Sequence, residues 1–186
     1  MLFRSNISAA HAAATDAVAE ASASEFVIIT LSRLSPEKGI ERLLRALPLV
    51  RGNYRVLICG AAAYMSGRRY ERMLRRLTND RVEFLGHVTG ERKAAILQRA
   101  DLFVSASRHE SYGLTIAEAE AAGCRVISHS HYGARGRVVN CDEPAELAAA
   151  LNKEIARGRS AKQPVVVKSD AAARLAAVIE QVAAEA

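Results

Sequence analysis

Phe26-Val27-Ile28-Ile29-Thr30-Leu31, then Ser35-Pro36-Glu37-Lys38-Gly39, then Ile40, Leu43, Leu44, Leu47 and Val50, is the stretch whose reading decides the fold. The first six residues form an unbroken apolar, β-branched run, the pattern of a strand buried on both faces. Ser35 stands where a helix N-cap belongs, and Pro36 occupies the first helical position. The apolar residues that follow recur at helical spacing.

The same alternation repeats along the chain. Strands are expected at Tyr54–Gly60, Val82–Leu85, Asp101–Ser105 and Arg125–Ser128, with a short last one at Arg137–Val139. Helices are expected at Tyr64–Leu77, Gly90–Arg99, Leu114–Ala122, Glu143–Ile155 and Ala171–Ala183. Asp142 is the expected cap of the helix that begins near Pro144, and Ser169 or Asp170 that of the last. Residues 1–24, rich in Ala and Ser, read as a hinge or linker before a domain over 25–186. Strands alternating with helices imply an α/β fold: a doubly wound, Rossmann-like parallel sheet with helices on both faces. Such sheets bind ligands beyond the carboxyl ends of their strands, at the switch point.

Composition narrows the class. The chain has 186 residues, 50% hydrophobic and 25% charged, as in an ordinary globular domain. No apolar run reaches the ~18 residues of a membrane span, and the amino end lacks a signal-peptide core, so the expected location is cytoplasmic. Cys59, Cys124 and Cys141 form no Cys-x-x-Cys pair, and Cys59 and Cys124 read as small buried hydrophobes. The net charge of +6 suits a nucleotide diphosphate, an anionic membrane surface or nucleic acid. Arg68, Arg69, Arg72, Arg75 and Arg76 recur at helical spacing and read first as a solvated helix face, with a peripheral membrane or acceptor contact as the alternative. Without Trp, nucleic acid is not the expected partner.

Two clusters carry chemistry. In Ser32–Gly39, Arg33 leaves the first strand and Lys38 opens the next helix, and two cations near helix-terminal N–H groups suit a diphosphate. In His109–Glu118, Gly113 lets the backbone approach a ligand closely. The N–H groups around Tyr112 to Leu114 would face a phosphate. Glu110 and Glu118 would flank that phosphate and accept hydrogen bonds from hydroxyls on either side of it. A molecule with hydroxyls on both sides of a phosphate group is a nucleotide sugar. Glu118 lies among Ile116, Ala117, Ala119, Ala121 and Ala122, a small-residue and buried setting where a charge needs a partner.

These two clusters, with Phe84-Leu85-Gly86-His87-Val88 and the block from Ala100 through Ala119 to Ala122-Gly123-Cys124-Arg125-Val126-Ile127, resemble the carboxyl-terminal domain of family 4 glycosyltransferases of the GT-B fold. The likeness covers about residues 24 to 185. It implies retaining transfer of a hexosyl group from a UDP-, GDP- or ADP-sugar to a glycan or lipid-linked acceptor, as in polysaccharide biosynthesis. No metal or other cofactor is implied. Catalytic roles fall to Arg33 and Lys38 on the diphosphate and to Glu110 on the donor sugar. Glu118 would hold the ribose, backbone from Ser111 through Tyr112, Gly113 and Leu114 the phosphates, and backbone near His87 and Val88 the base.

The sequence also departs from that family. Complete members carry an amino-terminal acceptor-binding domain for which these residues leave no room. This chain is therefore expected to need that missing partner domain for transfer. Ser128-His129-Ser130-His131-Tyr132-Gly133-Ala134-Arg135-Gly136 stands where a Gly-Gly turn and a short helix are usual. His129 and His131, without a third ligand, read as structural rather than as a metal pair. The competing readings are a non-catalytic nucleotide-sugar-binding module and an epimerase-like half. A phosphorylase would need a lysine pattern that is missing, and a dinucleotide-binding module the Gly-x-Gly-x-x-Gly loop that the first strand lacks.

Overall fold

The computed structural model describes residues 25–62, 64–110, 112–131 and 134–159. The linker expected over 1–24, the helix expected over 171–183 with its cap, and Ser111 lie outside them.

Six parallel strands form one sheet: β1 (Phe26–Leu31), β2 (Tyr54–Cys59), β3 (Val82–Gly86), β4 (Leu102–Ser105), β5 (Arg125–His129) and β6 (Arg137–Val139). Their order in the sheet is β3-β2-β1-β4-β5-β6. The helices between them are α1 (Ile40–Ala46), α2 (Tyr64–Arg76), α3 (Gly90–Arg99) and α4 (Leu114–Ala121), and α5 (Pro144–Ala156) follows β6. The chain winds outward through β1, β2 and β3. It then crosses back to lay β4 beside β1, which places the switch point between those two strands.

Successive side chains of a strand point to opposite faces, and β1 shows why its apolar run is unbroken. Phe26 and Ile28 enter the core under α1, α2 and α5, with Leu43, Leu44, Leu74 and Leu151. Val27 and Ile29 enter the core under α3 and α4, with Leu97, Phe103 and Ile116. All three cysteines are buried, Cys59 and Cys124 in the core under α3 and α4, as expected, and Cys141 in the core on the other face. Burial pushes the thiols of Cys59 and Cys141 up to about 12, so both stay uncharged.

Several boundaries differ from the sequence reading. The helix expected from Pro36 onward is broken: Pro36–Lys38 is one 3₁₀ turn, Gly39 takes a left-handed conformation, and α1 starts only at Ile40. Ser35 makes no cap hydrogen bond, and its hydroxyl donates instead to Glu37 Oε1 at 2.6 Å. At the other end α1 stops at Ala46: Leu47 keeps helical dihedrals, but Pro48 has no N–H to continue the ladder, and Leu47–Leu49 is a second 3₁₀ turn. Asp142 is not the cap of α5. Glu143 holds that position, and the Asp142 carboxylate turns to Arg42 at 2.5 Å. Asp101, expected to open β4, precedes it: its buried carboxylate accepts the Val27 N–H at 2.8 Å and Arg159 Nε at 3.2 Å.

Gly39 has a structural reason to be glycine. A Cβ there would stand 2.2 Å from the carbonyl oxygen of Ala106, so only a bare backbone lets the loop after β1 press against the loop after β4.

Candidate functional site

The carboxyl ends of the strands open on a 470 Å³ cavity. Its wall draws on the loop after β1 (Ser32, Arg33), the loop after β2 (Gly60), the loop after β3 (His87, Val88) and the first turn of α4 (Thr115). Three loops and one helix start, distant in sequence, thus converge there.

Next to it the two expected clusters meet. Lys38 Nζ lies 2.7 Å from Glu110 Oε2, with both side chains mostly withdrawn from solvent. The Ser107 hydroxyl donates to the same oxygen at 3.4 Å. The loops behind this pair are tied by backbone and buried charge. Arg108 N–H donates to the Glu37 carbonyl at 2.8 Å, and Arg42 Nη1 donates to the Ala106 carbonyl at 3.0 Å. Arg108 also meets Glu41 at 2.9 Å, while the Tyr70 hydroxyl donates to the other Glu41 oxygen. Burial and that hydrogen bond raise the Tyr70 pKa above its ordinary value, so the hydroxyl stays a donor. The result is a rigid seat for Lys38 and Glu110.

Arg33 behaves differently. It is 63% exposed and leans on Glu37 at 3.6 Å, so its guanidinium stands at the cavity mouth. The Ser35 hydroxyl lowers the pKa of Glu37, and Arg33 acts in the same direction.

On the second cluster Gly113 sits in the left-handed region, φ 61°, and opens α4. Its carbonyl accepts the N–H of Ala117, which leaves the first-turn N–H groups of α4 without intrahelical acceptors beside Thr115 in the cavity wall. Tyr112 and Leu114 are exposed. Glu118 is not buried as its setting suggested: α4 buries Ile116 and Ala119, and Glu118 is 42% exposed. It does have a partner, Lys93 of α3, at 2.6 Å. Val88 is buried in the cavity wall, His87 is exposed beside it, and Arg92 Nη2 holds the strand exit through the Leu85 carbonyl at 3.2 Å.

His129 ends β5 and is tied into the fold, and His131, two residues on, is half-buried. His129 Nδ1 accepts the Cys141 N–H at 3.1 Å, and Nε2 lies 3.7 Å from Asp142. Among the described residues neither ring nitrogen of His131 has a hydrogen-bond partner, and burial lowers its pKa.

Sequence reasoning missed Lys93, Ser107 and the Arg42–Asp142–Arg108 brace. A signal existed for Lys93, which follows Val88 within one helical turn of the start of α3. None existed for the brace, whose members lie far apart in the chain.

A family model described as glycosyl transferases group 1 matches residues 14–182. The GDP-mannose-dependent monoacylated alpha-(1-6)-phosphatidylinositol monomannoside mannosyltransferase of Corynebacterium glutamicum is 36% identical over 121 residues, 58% of this chain and 30% of that protein. The alpha-monoglucosyldiacylglycerol synthase of Streptococcus pneumoniae is 32% identical over 110 residues, 58% of this chain and 25% of that protein. This chain therefore spans less than a third of the length of these relatives. Among solved structures, Anabaena HepE in complex with UDP-glucose superposes with a TM-score of 0.67 at 26% identity, covering 78% of this chain and 42% of that one. The C-terminal domain of a glycosyl transferase group 1 family protein from Francisella tularensis has the same fold, with a TM-score of 0.59 at 22% identity over 70% of this chain and 75% of that one. A switch-point site of this build, on a sheet that superposes on theirs, agrees with the match along the sequence: the chain belongs to the group 1 glycosyl transferases, on half of a GT-B fold.

Proposed function

We propose that residues 25–186 are the donor-binding half of a retaining hexosyltransferase that takes its sugar from a nucleoside diphosphate. The observation that carries this is the Lys38–Glu110 pair at 2.7 Å, a cation and a carboxylate from separate loops set at one switch point. In the bound state Lys38 turns to the diphosphate, Arg33 reaches it from the cavity mouth, and Glu110 is released to the sugar hydroxyls. As the glycosidic bond breaks, negative charge grows on the leaving diphosphate. Cations already in place stabilise it without reorganisation. The first-turn N–H groups of α4, from Gly113 and Leu114 with Ser111 and Tyr112 before them, add to that stabilisation. Glu118 takes the ribose hydroxyls, and backbone at His87 and Val88 takes the base.

A relative that uses GDP-mannose and a structural neighbour bound to UDP-glucose support a nucleotide hexose as the donor class. The acceptor, a glycan or a lipid-linked sugar, is held by an amino-terminal domain outside these residues, and transfer needs that partner. The reading places the protein in the cytoplasm. Among the described residues no helix is long and apolar enough to cross a membrane.

Calorimetric titration of the chain with UDP, GDP and ADP, then with their hexose conjugates, tests the proposal. Binding of one series at micromolar concentration, lost in Arg33→Ala, is the expected result. Failure of all three series to bind overturns it. Binding that gives no transfer when the partner domain is supplied points to a non-catalytic module instead.

A further inference from the structure

Away from the donor cavity, α2 carries Arg68, Arg69, Arg72, Arg75 and Arg76 against a single acid, Glu71. Arg75 is engaged: it pairs with Glu71 at 2.8 Å and lies 4.3 Å over the Phe84 ring. Arg68, Arg69, Arg72 and Arg76 are exposed and have no acidic partner among the described residues. Arg72 is the centre of the group. Its helical neighbours at three and four residues on either side are Arg68, Arg69, Arg75 and Arg76, all of like charge. An ordinary solvated helix face intersperses acids at these spacings and gains from each pair, whereas this one repels itself. Arg69, Arg72 and Arg76 also line a shallow 330 Å³ cleft with Met73. The row is about 10 Å long, at the ordinary rise of a helix.

We propose that this face of α2 docks on an anionic phospholipid bilayer, with headgroup phosphates bridging Arg69, Arg72 and Arg76. Guanidinium binds phosphate with two parallel hydrogen bonds, and a row of phosphates relieves the repulsion within the helix. The contact is electrostatic adsorption, not insertion. Tyr70 and Leu74, the apolar side of α2, are buried in the domain and leave the outer side to the arginines. Single-stranded nucleic acid fits less well, because its binding sites stack bases on exposed aromatics, and Tyr70, the aromatic between these arginines, is buried. The inference stands apart from the donor site, since none of these arginines lines that cavity.

Co-sedimentation of the full chain with vesicles tests it. Neutral phosphatidylcholine vesicles are compared with vesicles containing about 30% phosphatidylglycerol, each at about 0.05 M and 0.5 M salt. The chain is expected to pellet with the anionic vesicles at low salt only. The triple variant Arg69→Gln/Arg72→Gln/Arg76→Gln is expected to lose partitioning by about tenfold or more. A charge-matched triple at exposed positions elsewhere, Arg45→Gln/Arg51→Gln/Arg137→Gln, is expected to keep it. Thermal melts that overlay the parent establish that both variants fold. No binding of the parent to anionic vesicles, or equal loss in both triples, overturns the proposal. So does tighter binding of a single-stranded oligonucleotide that the first triple abolishes.

Discussion

Lys38 Nζ donates to Glu110 Oε2 at 2.7 Å across 72 residues of sequence. The two charges neutralise each other within the proposed donor site. A donor has to part this pair before either partner can serve it, and that sets opposite signs for two substitutions. Glu110→Gln frees Lys38, so free nucleoside diphosphate should bind as well as or better than in the parent, while the preference for the hexose conjugate falls. Lys38→Met removes a charged hydrogen-bond donor and should weaken both ligands by about 1.5–3 kcal/mol. Calorimetry on the two variants, with and without the hexose on the ligand, separates these outcomes.

Glu118 and Lys93 form the second pair, 2.6 Å apart and open to solvent. An exposed ion pair contributes about 0–1 kcal/mol to stability. Glu118→Ala should therefore leave the melting temperature nearly unchanged. It should still weaken every ribonucleotide by about 1.5–3 kcal/mol, because the ribose loses a charged acceptor. A 2′-deoxyribonucleotide should show a smaller difference between parent and variant. Equal losses for ribose and deoxyribose ligands would remove Glu118 from the ribose site.

Gly39→Ala tests the junction of the two loops. The substitution places a Cβ at φ 61° and 2.2 Å from the Ala106 carbonyl oxygen. Left-handed strain and the clash together should cost about 2–4 kcal/mol. Gly90→Ala is the control: φ is 54°, but nothing lies within 4 Å of the added carbon. Its cost should be the strain alone, about 1–2 kcal/mol. Chemical denaturation of both variants isolates the clash as the difference.

His131 should make stability fall in mild acid. Burial lowers its pKa in the folded chain; Glu110 acts the other way, and His129, Lys38 and His109 reinforce the lowering. The unfolded chain binds the proton more readily than the folded one. The stabilising contribution is thus fully present above the ordinary histidine value of about 6.5 and is lost as the pH falls below it. Melting temperatures of the parent between pH 8 and pH 5, at steps of about one unit, should drop more steeply than those of His131→Gln. Parallel profiles would show that the ring is already solvated.

Much of the fold was legible before any coordinate. The β1 run has no polar break because Phe26 and Ile28 serve one core and Val27 and Ile29 the other. Periodicity therefore reported both the strand and its two-sided burial. Where the reading slipped, two local preferences competed. Pro36 suits the start of a helix, but Gly39 in the left-handed region interrupts it, and the close approach to Ala106 makes that glycine necessary. Asp142 suits a cap, yet the buried Arg42 guanidinium outbids the α5 N–H groups for its carboxylate. A full charge on a buried partner is the stronger demand.

By itself the sequence determined the order of strands and helices, the loops in which chemistry resides and the glutamate spacing within α4 and its approach. These depend on residues near one another in the chain, where local propensity and periodicity act. Only the tertiary structure decided which charges meet. Lys38 finds Glu110 because the crossover from β3 to β4 brings the ends of β1 and β4 side by side; Lys93 finds Glu118 because α3 and α4 cover the same core; and Arg42 and Arg108 share Asp142. Coulomb attraction selects a partner by distance in space, and that distance exists only after the sheet has closed around its two cores.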